Sequence, residues 1–108
     1  MVGYGFYIGH EMCMVINGKT VIGNNVNVSQ FLNIGTNKGK PAVILDGAYL
    51  APMCCLVEDV VIGEQSIVGA GAVVTKNVPN HTTVAGVPAK IINNKGKEPS
   101  YYYTWEYK

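Results

Sequence analysis

Few side chains in this sequence can exchange a proton or act as a nucleophile near neutral pH, and they comprise two histidines and three cysteines. His10 follows an Ile-Gly pair near the start of the chain, and His81 lies after Pro79 and Asn80. An imidazole titrates near neutral pH, so it can take a proton from a hydroxyl group and hand it to a leaving group. The position of each histidine relative to the elements around it must therefore decide between a catalytic and a merely solvated role.

The cysteines favour neither a disulfide framework nor a metal site. Cys13, Cys54 and Cys55 are odd in number, and the neighbouring pair would project to opposite faces of a strand. No Cys-x-x-Cys pair or Cys/His cluster has zinc spacing, so we expect no metal. We interpret Cys13 as a buried structural thiol and the chain as a protein of the reducing cytoplasm.

Composition limits the class of protein further. The 108 residues allow one small domain, of which 48% are hydrophobic and 14% charged, with a formal net charge of +1. This balance argues against disorder and against nucleic-acid binding. The N-terminus lacks the pattern of a signal peptide, and the most apolar region, residues 42–57, is broken by Asp46, Gly47 and Pro52. We therefore expect a soluble protein without a membrane span, and the low charge suggests self-association.

The elements that must position these side chains are visible as a period of six. Aliphatic residues recur every six positions in two series, with one interruption between them: Ile16, Ile22, Val28 and Ile34, then Ile44, Leu50, Leu56, Ile62, Val68 and Val74. Four residues after each aliphatic comes a second small or apolar residue in most hexads: Thr20, Val26, Leu32, Ala48, Cys54, Val60, Ser66, Ala72 and Val78. Helical spacing of 3.6 fits this pattern poorly.

The pattern predicts a coil of very short strands. Each hexad supplies one strand and one turn, three hexads close a triangular coil, and stacked coils bury a continuous apolar column. A β-sandwich, the alternative, would need turn signals eight to twelve residues apart. Residues 37–40 interrupt the series and predict one inserted loop. The expected fold is therefore an all-β parallel solenoid.

Three stretches of the sequence resemble the hexapeptide-repeat acyltransferase superfamily, and more narrowly its serine acetyltransferase-like branch. They are residues 8–26, residues 62–79 and the closing segment Val84-Ala85-Gly86-Val87-Pro88-Ala89-Lys90. The resemblance implies a left-handed parallel β-helix, although parallel crossovers are generally right-handed. It predicts a β-helix domain over residues 1–92 and a short aromatic C-terminal tail over residues 93–108.

The resemblance also implies a function and a site. It implies an O-acetyltransferase that uses acetyl-CoA and works as a homotrimer, with His10 as general base in a cleft between two subunits, while His81 is solvated and non-catalytic. The implied CoA groove consists of small residues and two lysines: Gly69, Ala70, Gly71, Ala72, Lys76, Ala85, Gly86, Pro88 and Lys90. The inserted loop is implied to contact the acceptor through Asn37, Lys38 and Lys40.

The chain also departs from serine acetyltransferases proper. Gly9 stands where they have an acidic residue before the histidine, and Gly39-Lys40 stands where they carry an arginine–histidine pair. Their helical N-terminal domain has no counterpart in this sequence, so we expect a minimal member, a fragment, or a member that recruits an orienting group from its own backbone. We therefore favour a sugar hydroxyl of surface polysaccharide synthesis as the acceptor, with L-serine, for cysteine biosynthesis, as the alternative. A non-catalytic structural trimer is the third possibility, whereas a prism-shaped carbonic anhydrase would need three histidines per site.

Overall fold

The computed structural model of the chain describes residues 1–8, 13–35 and 40–95. These residues form thirteen short strands and no α-helix. The strands are β1 (Tyr7–Ile8), β2 (Val15–Ile16), β3 (Val21–Ile22), β4 (Asn27–Val28), β5 (Asn33–Gly35), β6 (Val43–Ile44), β7 (Tyr49–Leu50), β8 (Cys55–Val57), β9 (Val61–Ile62), β10 (Ile67–Val68), β11 (Val73–Val74), β12 (Thr83–Ala85) and β13 (Lys90–Asn93).

The strands form the three faces of a prism. One sheet has the order β1-β4-β7-β10-β12-β13, the second β11-β8-β5-β2 and the third β3-β6-β9. From β1 to β11, consecutive strands therefore lie on different faces, and each strand from β4 onward pairs in parallel with the strand three places before it. The four strands of the second sheet mark four turns of the solenoid. The prediction of an all-β parallel solenoid with hexad strands is confirmed.

The interior of the prism is the apolar column that the hexads predict. Ile44, Leu50 and Ile62 have no exposed surface, and Leu56 and Ile34 have 1%. The aliphatic residues stack in register along each face, as in the pairings that join Val28 to Leu50 and Leu50 to Val68. The second residue of each hexad is buried as well, including Val26, Ala48, Cys54, Ser66 and Ala72, which are all at 0%. Each strand is too short to bury its own face, so the stack supplies the stability.

The corners of the prism hold left-handed backbone at matching positions on successive coils. Asn25, Gln65 and His81 have φ between 52° and 55° at one corner, where Gly47 has 74°. These residues continue the ladder around the bend, because the N–H groups of Gln65 and His81 donate to Asp46 and Glu64 on the preceding coil. Asparagine and glycine tolerate this conformation at little cost.

Short side chains from one coil fill the space beside the glycines of the coil before it. The Asp46 carboxylate accepts the Asn24 N–H (2.8 Å), and it occupies the place where a Cβ on Gly23 would lie. The side-chain oxygen of Asn80 likewise accepts the Glu64 N–H (2.8 Å), and it lies beside Gly63. Leu45 takes the position of the glycine in the coil between these two. The next coil brings Gly63 and Glu64 alongside it, and neither has the short side-chain amide or carboxylate of Asn80 or Asp46.

One departure from the period of six corrects the sequence pattern. Val78 was expected at the second position of the Val74 hexad, but it pairs with Ile62 and so takes the aliphatic position of the next face. The last coil is therefore two residues shorter than the coils before it, and the register resumes with Val84 opposite Val68. The side-chain oxygen of Asn77 accepts the Val61 N–H (2.8 Å) in place of a ladder carbonyl.

Candidate active site

His10, the general base predicted from the sequence, lies outside the described residues. This also holds for Asn37 and Lys38 of the inserted loop, whereas Lys40 is described and exposed. The other histidine, His81, is exposed at a corner with φ 52°, and its N–H donates to the Glu64 carbonyl (2.8 Å). Its exposure agrees with the solvated role expected for it from the sequence.

The small residues of the implied CoA groove meet where β10 leads into β11 and β12 passes beside them. The Gly69 N–H donates to the Val84 carbonyl (2.8 Å), and the Val73 N–H donates to the Gly86 carbonyl (3.0 Å). A Cβ on Gly69 would lie 3.1 Å from the Ala85 Cβ. Because the two coils approach this closely, only small residues fit, and they leave a shallow outer surface.

Not every residue of that set faces outward. Ala70 and Gly71 are exposed, and a Cβ on Gly71 would meet no atom within 4 Å. The Gly71 N–H is already bonded to the Pro52 carbonyl (2.9 Å). Ala72 is completely buried, and its carbonyl accepts the Cys55 N–H (2.8 Å). A ligand at this corner therefore meets Ala70 and Gly71, while Ala72 supports them from inside.

A cavity of ≈ 310 Å³ lies at the C-terminal end of the prism, and residues 69–72 do not line it. It brings together Lys76, Pro88 and Lys90, three residues of the implied groove. The remaining lining residues were not singled out from the sequence, and they are Val74, Thr75, Asn77, Val78, Val84, Ala89 and Ile91. The cavity thus has an aliphatic floor and two lysines in its lining, a composition that accepts an anionic ligand with an apolar body.

The β12–β13 hairpin builds one wall of this cavity. β13 runs antiparallel to β12, pairing Ala85 with Lys90 and Val84 with Ile91. The Ala89 N–H donates to the Val73 carbonyl (2.8 Å) and ties the hairpin to the preceding coil. The sequence pattern of parallel hexads gave no signal for an antiparallel strand, because the four residues of β13 do not continue the period. The shortened last coil and this hairpin together leave the space that the cavity occupies.

The three cysteines differ in their burial. Burial raises the pKa of the Cys54 thiol from 9.0 to about 12, so it stays protonated at neutral pH. Cys55 is half-buried and Cys13 is exposed. The interpretation of Cys13 as a buried thiol is therefore wrong: it sits at a corner with φ 29°, outside the apolar column.

The described residues hold neither a metal-binding cluster nor a membrane-spanning helix. Among residues 1–8, 13–35 and 40–95, no group of three or more His, Cys, Asp or Glu side chains could hold a metal ion. In the same part of the chain, no helix is long and apolar enough to cross a membrane.

Comparison with known proteins identifies relatives of this prism. The family model for the bacterial transferase hexapeptide (six repeats) matches residues 41–76. The chain is 38% identical over 101 residues to a serine acetyltransferase of Bacillus pumilus, covering 90% of this chain and 46% of the relative. It is 26% identical over 121 residues to the galactoside O-acetyltransferase of Escherichia coli, covering 99% of this chain and 60% of the relative. The chain thus spans about half the length of the curated relatives it matches.

A solved structure gives the same result for the fold. The serine acetyltransferase of Brucella abortus in complex with coenzyme A superposes with a TM-score of 0.84 at 29% identity, covering 90% of this chain and 40% of that chain. The prism therefore matches the left-handed β-helix that the resemblance implied. The family model, the relatives and the solved structure together support the hexapeptide-repeat acyltransferase superfamily, and within it the serine acetyltransferase-like branch.

Proposed function

We propose that the protein is an acetyl-CoA-dependent O-acetyltransferase and that L-serine is its acceptor. The observation that carries the proposal is the 38% identity to a serine acetyltransferase across 90% of the chain. That stretch is long enough to include most of the prism. The cavity lined by Lys76 and Lys90 supports a CoA site at the C-terminal end of the prism.

The proposed reaction is a direct transfer with His10 as the general base. The imidazole takes the proton of the acceptor hydroxyl, whose oxygen then attacks the acetyl carbonyl carbon. The carbon–sulfur bond breaks as the tetrahedral intermediate collapses, and the imidazolium returns its proton to the leaving thiolate. Backbone N–H groups of glycine-rich turns are the donors such an intermediate needs. No covalent acyl-enzyme is invoked, and the protonated Cys54 inside the column takes no part.

The proposed CoA groove runs from the Gly69–Ala72 corner to the cavity at the end of the prism. Ala70 and Gly71 present backbone and small side chains at the surface, which lets an extended ligand lie close to the prism. Lys76 and Lys90 are both exposed and both line the cavity, so they are placed to meet phosphate oxygens. Each lysine–phosphate ion pair would be solvent-exposed, so it contributes about 0.2–1 kcal/mol to CoA binding and weakens as the salt concentration rises.

The identity of the acceptor rests on a choice between L-serine and a sugar hydroxyl. The departures at Gly9 and Lys40 made a sugar hydroxyl the first expectation from the sequence, but the relative with the higher identity is a serine acetyltransferase. A sugar hydroxyl remains the second candidate, because the galactoside O-acetyltransferase aligns with 99% of the chain. Lys40 lies at the edge of the inserted loop, where a single ammonium group could pair with the carboxylate of serine.

The homotrimer and the cytoplasmic location are further parts of the proposal. Self-association is supported by apolar side chains that remain open in the single chain, among them Val15 at 62%, Phe31 at 46% and Val21 at 37% exposed. The cytoplasm is supported by the three free cysteines and is the compartment in which acetyl-CoA would meet its acceptor.

The test is thiol release from acetyl-CoA with a panel containing L-serine and simple galactosides. His10→Asn removes the proposed base, and His81→Asn is the matched control, since asparagine tolerates the left-handed backbone at that corner. We expect turnover with L-serine that falls by at least about 100-fold in H10N and is unchanged in H81N. Turnover with a galactoside alone would transfer the proposal to the sugar, and equal activity of the two variants would remove His10 from the mechanism.

A further inference from the structure

One side-chain oxygen at a corner of the prism is buried without a hydrogen-bond partner. Within residues 1–8, 13–35 and 40–95, this holds for Thr20 Oγ1 and Gln30 Oε1. Thr20 is 3% exposed, so no ligand reaches its hydroxyl unless the prism opens. Gln30 is half-buried and lies in the turn after β4, so it lies within reach of a molecule bound at the surface. A buried carbonyl oxygen without a donor destabilises the fold, and a ligand that brings a donor removes this cost.

The turn that contains Gln30 belongs to the same corner of the prism as one end of the proposed CoA groove. Three stacked turns form this corner, and they are residues 30–31, 52–53 and 70–71. The Met53 N–H donates to the Gln30 carbonyl (3.0 Å). The Gly71 N–H donates to the Pro52 carbonyl (2.9 Å). Neighbouring strands are about 4.8 Å apart, so the first turn lies about 10 Å from the third along the prism. The proposed groove runs from the third turn in the opposite direction, so Gln30 lies beyond its end.

The same corner carries two exposed apolar side chains in left-handed backbone. Phe31 has φ 59° and is 46% exposed, and Met53 has φ 64° and is 65% exposed. The matching residue of the next coil is Gly71, with φ 70°. Bulky side chains are uncommon in this region of φ, and residues held there cluster at ligand sites. The corner thus combines an apolar surface with a buried hydrogen-bond acceptor that lacks a donor.

The chemistry of the unpartnered atom restricts its ligand. A carbonyl oxygen only accepts hydrogen bonds, so the ligand must supply an N–H or O–H group. The thioester of acetyl-CoA has neither, and the amide groups of its pantetheine arm belong to the molecule assigned to the groove. The acetyl acceptor has donors besides the hydroxyl that reacts, because L-serine carries an ammonium group and a galactoside carries further hydroxyls. The place of Gln30 beyond the end of the groove favours the acceptor.

We propose that Gln30 binds the acetyl acceptor, with Oε1 accepting a hydrogen bond from a donor group that does not react, and with Phe31 and Met53 beside the bound molecule. The reacting hydroxyl is then left to the general base. The inference rests on the proposed acetyl transfer for the identity of the ligand. It adds to that proposal a residue that selects for acceptors with a second donor group.

The test compares Gln30→Met with the wild type in the full chain. Methionine has a similar length and no strong hydrogen-bonding atom. Calorimetric titration with L-serine and with a galactoside, in the absence of acetyl-CoA, measures acceptor binding apart from turnover. We expect Q30M to raise the Kd and KM of the acceptor that the wild type uses by about 10-fold. The KM for acetyl-CoA should stay unchanged.

Stability and two further variants separate binding from folding. Because Q30M removes a buried oxygen that has no donor, its melting temperature should be no lower than that of the wild type. Gln30→Glu keeps an acceptor oxygen and should retain L-serine binding. Gln65→Met is the matched control, since Gln65 lies at another corner with φ 54° and its side chain lies beside Gly47. It should leave acceptor binding and both KM values unchanged.

Several outcomes would overturn the inference. A folded Q30M protein that binds the acceptor as tightly as the wild type would remove Gln30 from the acceptor site. A raised KM for acetyl-CoA alone would assign Gln30 to the pantetheine amides. Equal losses in Q30M and Q65M would show that the effect is not specific to this corner, and a wild type that binds neither acceptor would also refute the inference. A wild type that binds an acceptor through Gln30 but releases no thiol would refute the acetyl transfer and leave the binding role of Gln30 supported.

Discussion

Substitution of Gly63 by alanine tests how closely neighbouring coils pack. A Cβ placed on Gly63 would lie 2.5 Å from the backbone nitrogen of Asn80 and 2.5 Å from the carbonyl carbon of Pro79. Both atoms belong to the main chain of the next coil, so no side-chain rotation relieves the contact. The Gly63 N–H also donates to the Val78 carbonyl (2.9 Å), a bond that any separation of the coils would stretch. Gly63→Ala should therefore strain the coil at this corner.

The expected loss can be estimated from these contacts. Overpacking a well-packed site costs about 1–3 kcal/mol, and weakening one buried hydrogen bond adds about 1 kcal/mol. We expect G63A to lower the free energy of unfolding by about 2–4 kcal/mol, a large part of the roughly 5–15 kcal/mol typical of a native protein. The melting temperature should fall by at least about 8 °C.

Two other glycines supply matched controls for the assay, which is thermal and urea unfolding followed by circular dichroism. A Cβ on Gly18 or on Gly71 would meet no atom within 4 Å, but Gly71 has φ +70°. Gly18→Ala should therefore change stability by no more than about 1 kcal/mol and in the stabilising direction. Gly71→Ala should cost about 1–2 kcal/mol through backbone strain alone. A G63A protein as stable as G18A would refute the close approach of the coils.

Three more predictions follow from the column and the cavity. Leu50→Ala, at a site with no exposed surface, should cost about 2–5 kcal/mol in urea unfolding. The Cys54 thiol has a pKa of about 12 in the native state and 9.0 in the unfolded chain. The contribution of the buried thiol to the free energy of unfolding should therefore be fully present below pH 9 and be lost as the pH rises above it. The slope approaches about 1.4 kcal/mol per pH unit, and Cys54→Ala should remove it while Cys55→Ala keeps it. Lys90→Ala should raise KM for acetyl-CoA up to about five-fold at low salt with kcat unchanged, and Lys19→Ala, in a turn away from the cavity, should change neither.

The period of six was sufficient to predict the column, because each aliphatic residue of a hexad has one geometric role. Ile22, Leu50 and Val74 are buried at the positions that spacing alone assigns to them. The left-handed course of the helix did not follow from spacing. The same sequence of short strands could be drawn with either hand, and only the resemblance to a family supplied the choice.

Local deviations from the period were not readable from the sequence. Val78 fits the hexad of Val74, and only the pairing with Ile62 shows that the last coil is two residues shorter. Leu45 takes a position where glycine is usual, and whether leucine fits there depends on which residue the next coil brings alongside it. These are contacts between residues about 18 positions apart, and a single-coil pattern carries no information about them.

The candidate site was predictable in part. The sequence named Lys76, Pro88 and Lys90 by resemblance, and the structure brings all three to one cavity. It did not indicate the aliphatic floor or the antiparallel strand that walls the cavity, because Val84 and Ile91 read as ordinary core or surface residues. The resemblance assigned Ala72 to the groove, although Ala72 is the second small or apolar residue of its hexad, a position that points into the prism. His10, Asn37 and Lys38 remain predictions.

The most direct test of the central claim is the identity of the acetylated product. The protein is incubated with acetyl-CoA and equal concentrations of L-serine and a galactoside, and the mixture is analysed by mass spectrometry. Acetyltransferase activity with serine as the acceptor predicts O-acetylserine as the main product, together with an equal amount of free CoA. Acetyl-CoA that remains intact, with neither acceptor acetylated, would contradict the account.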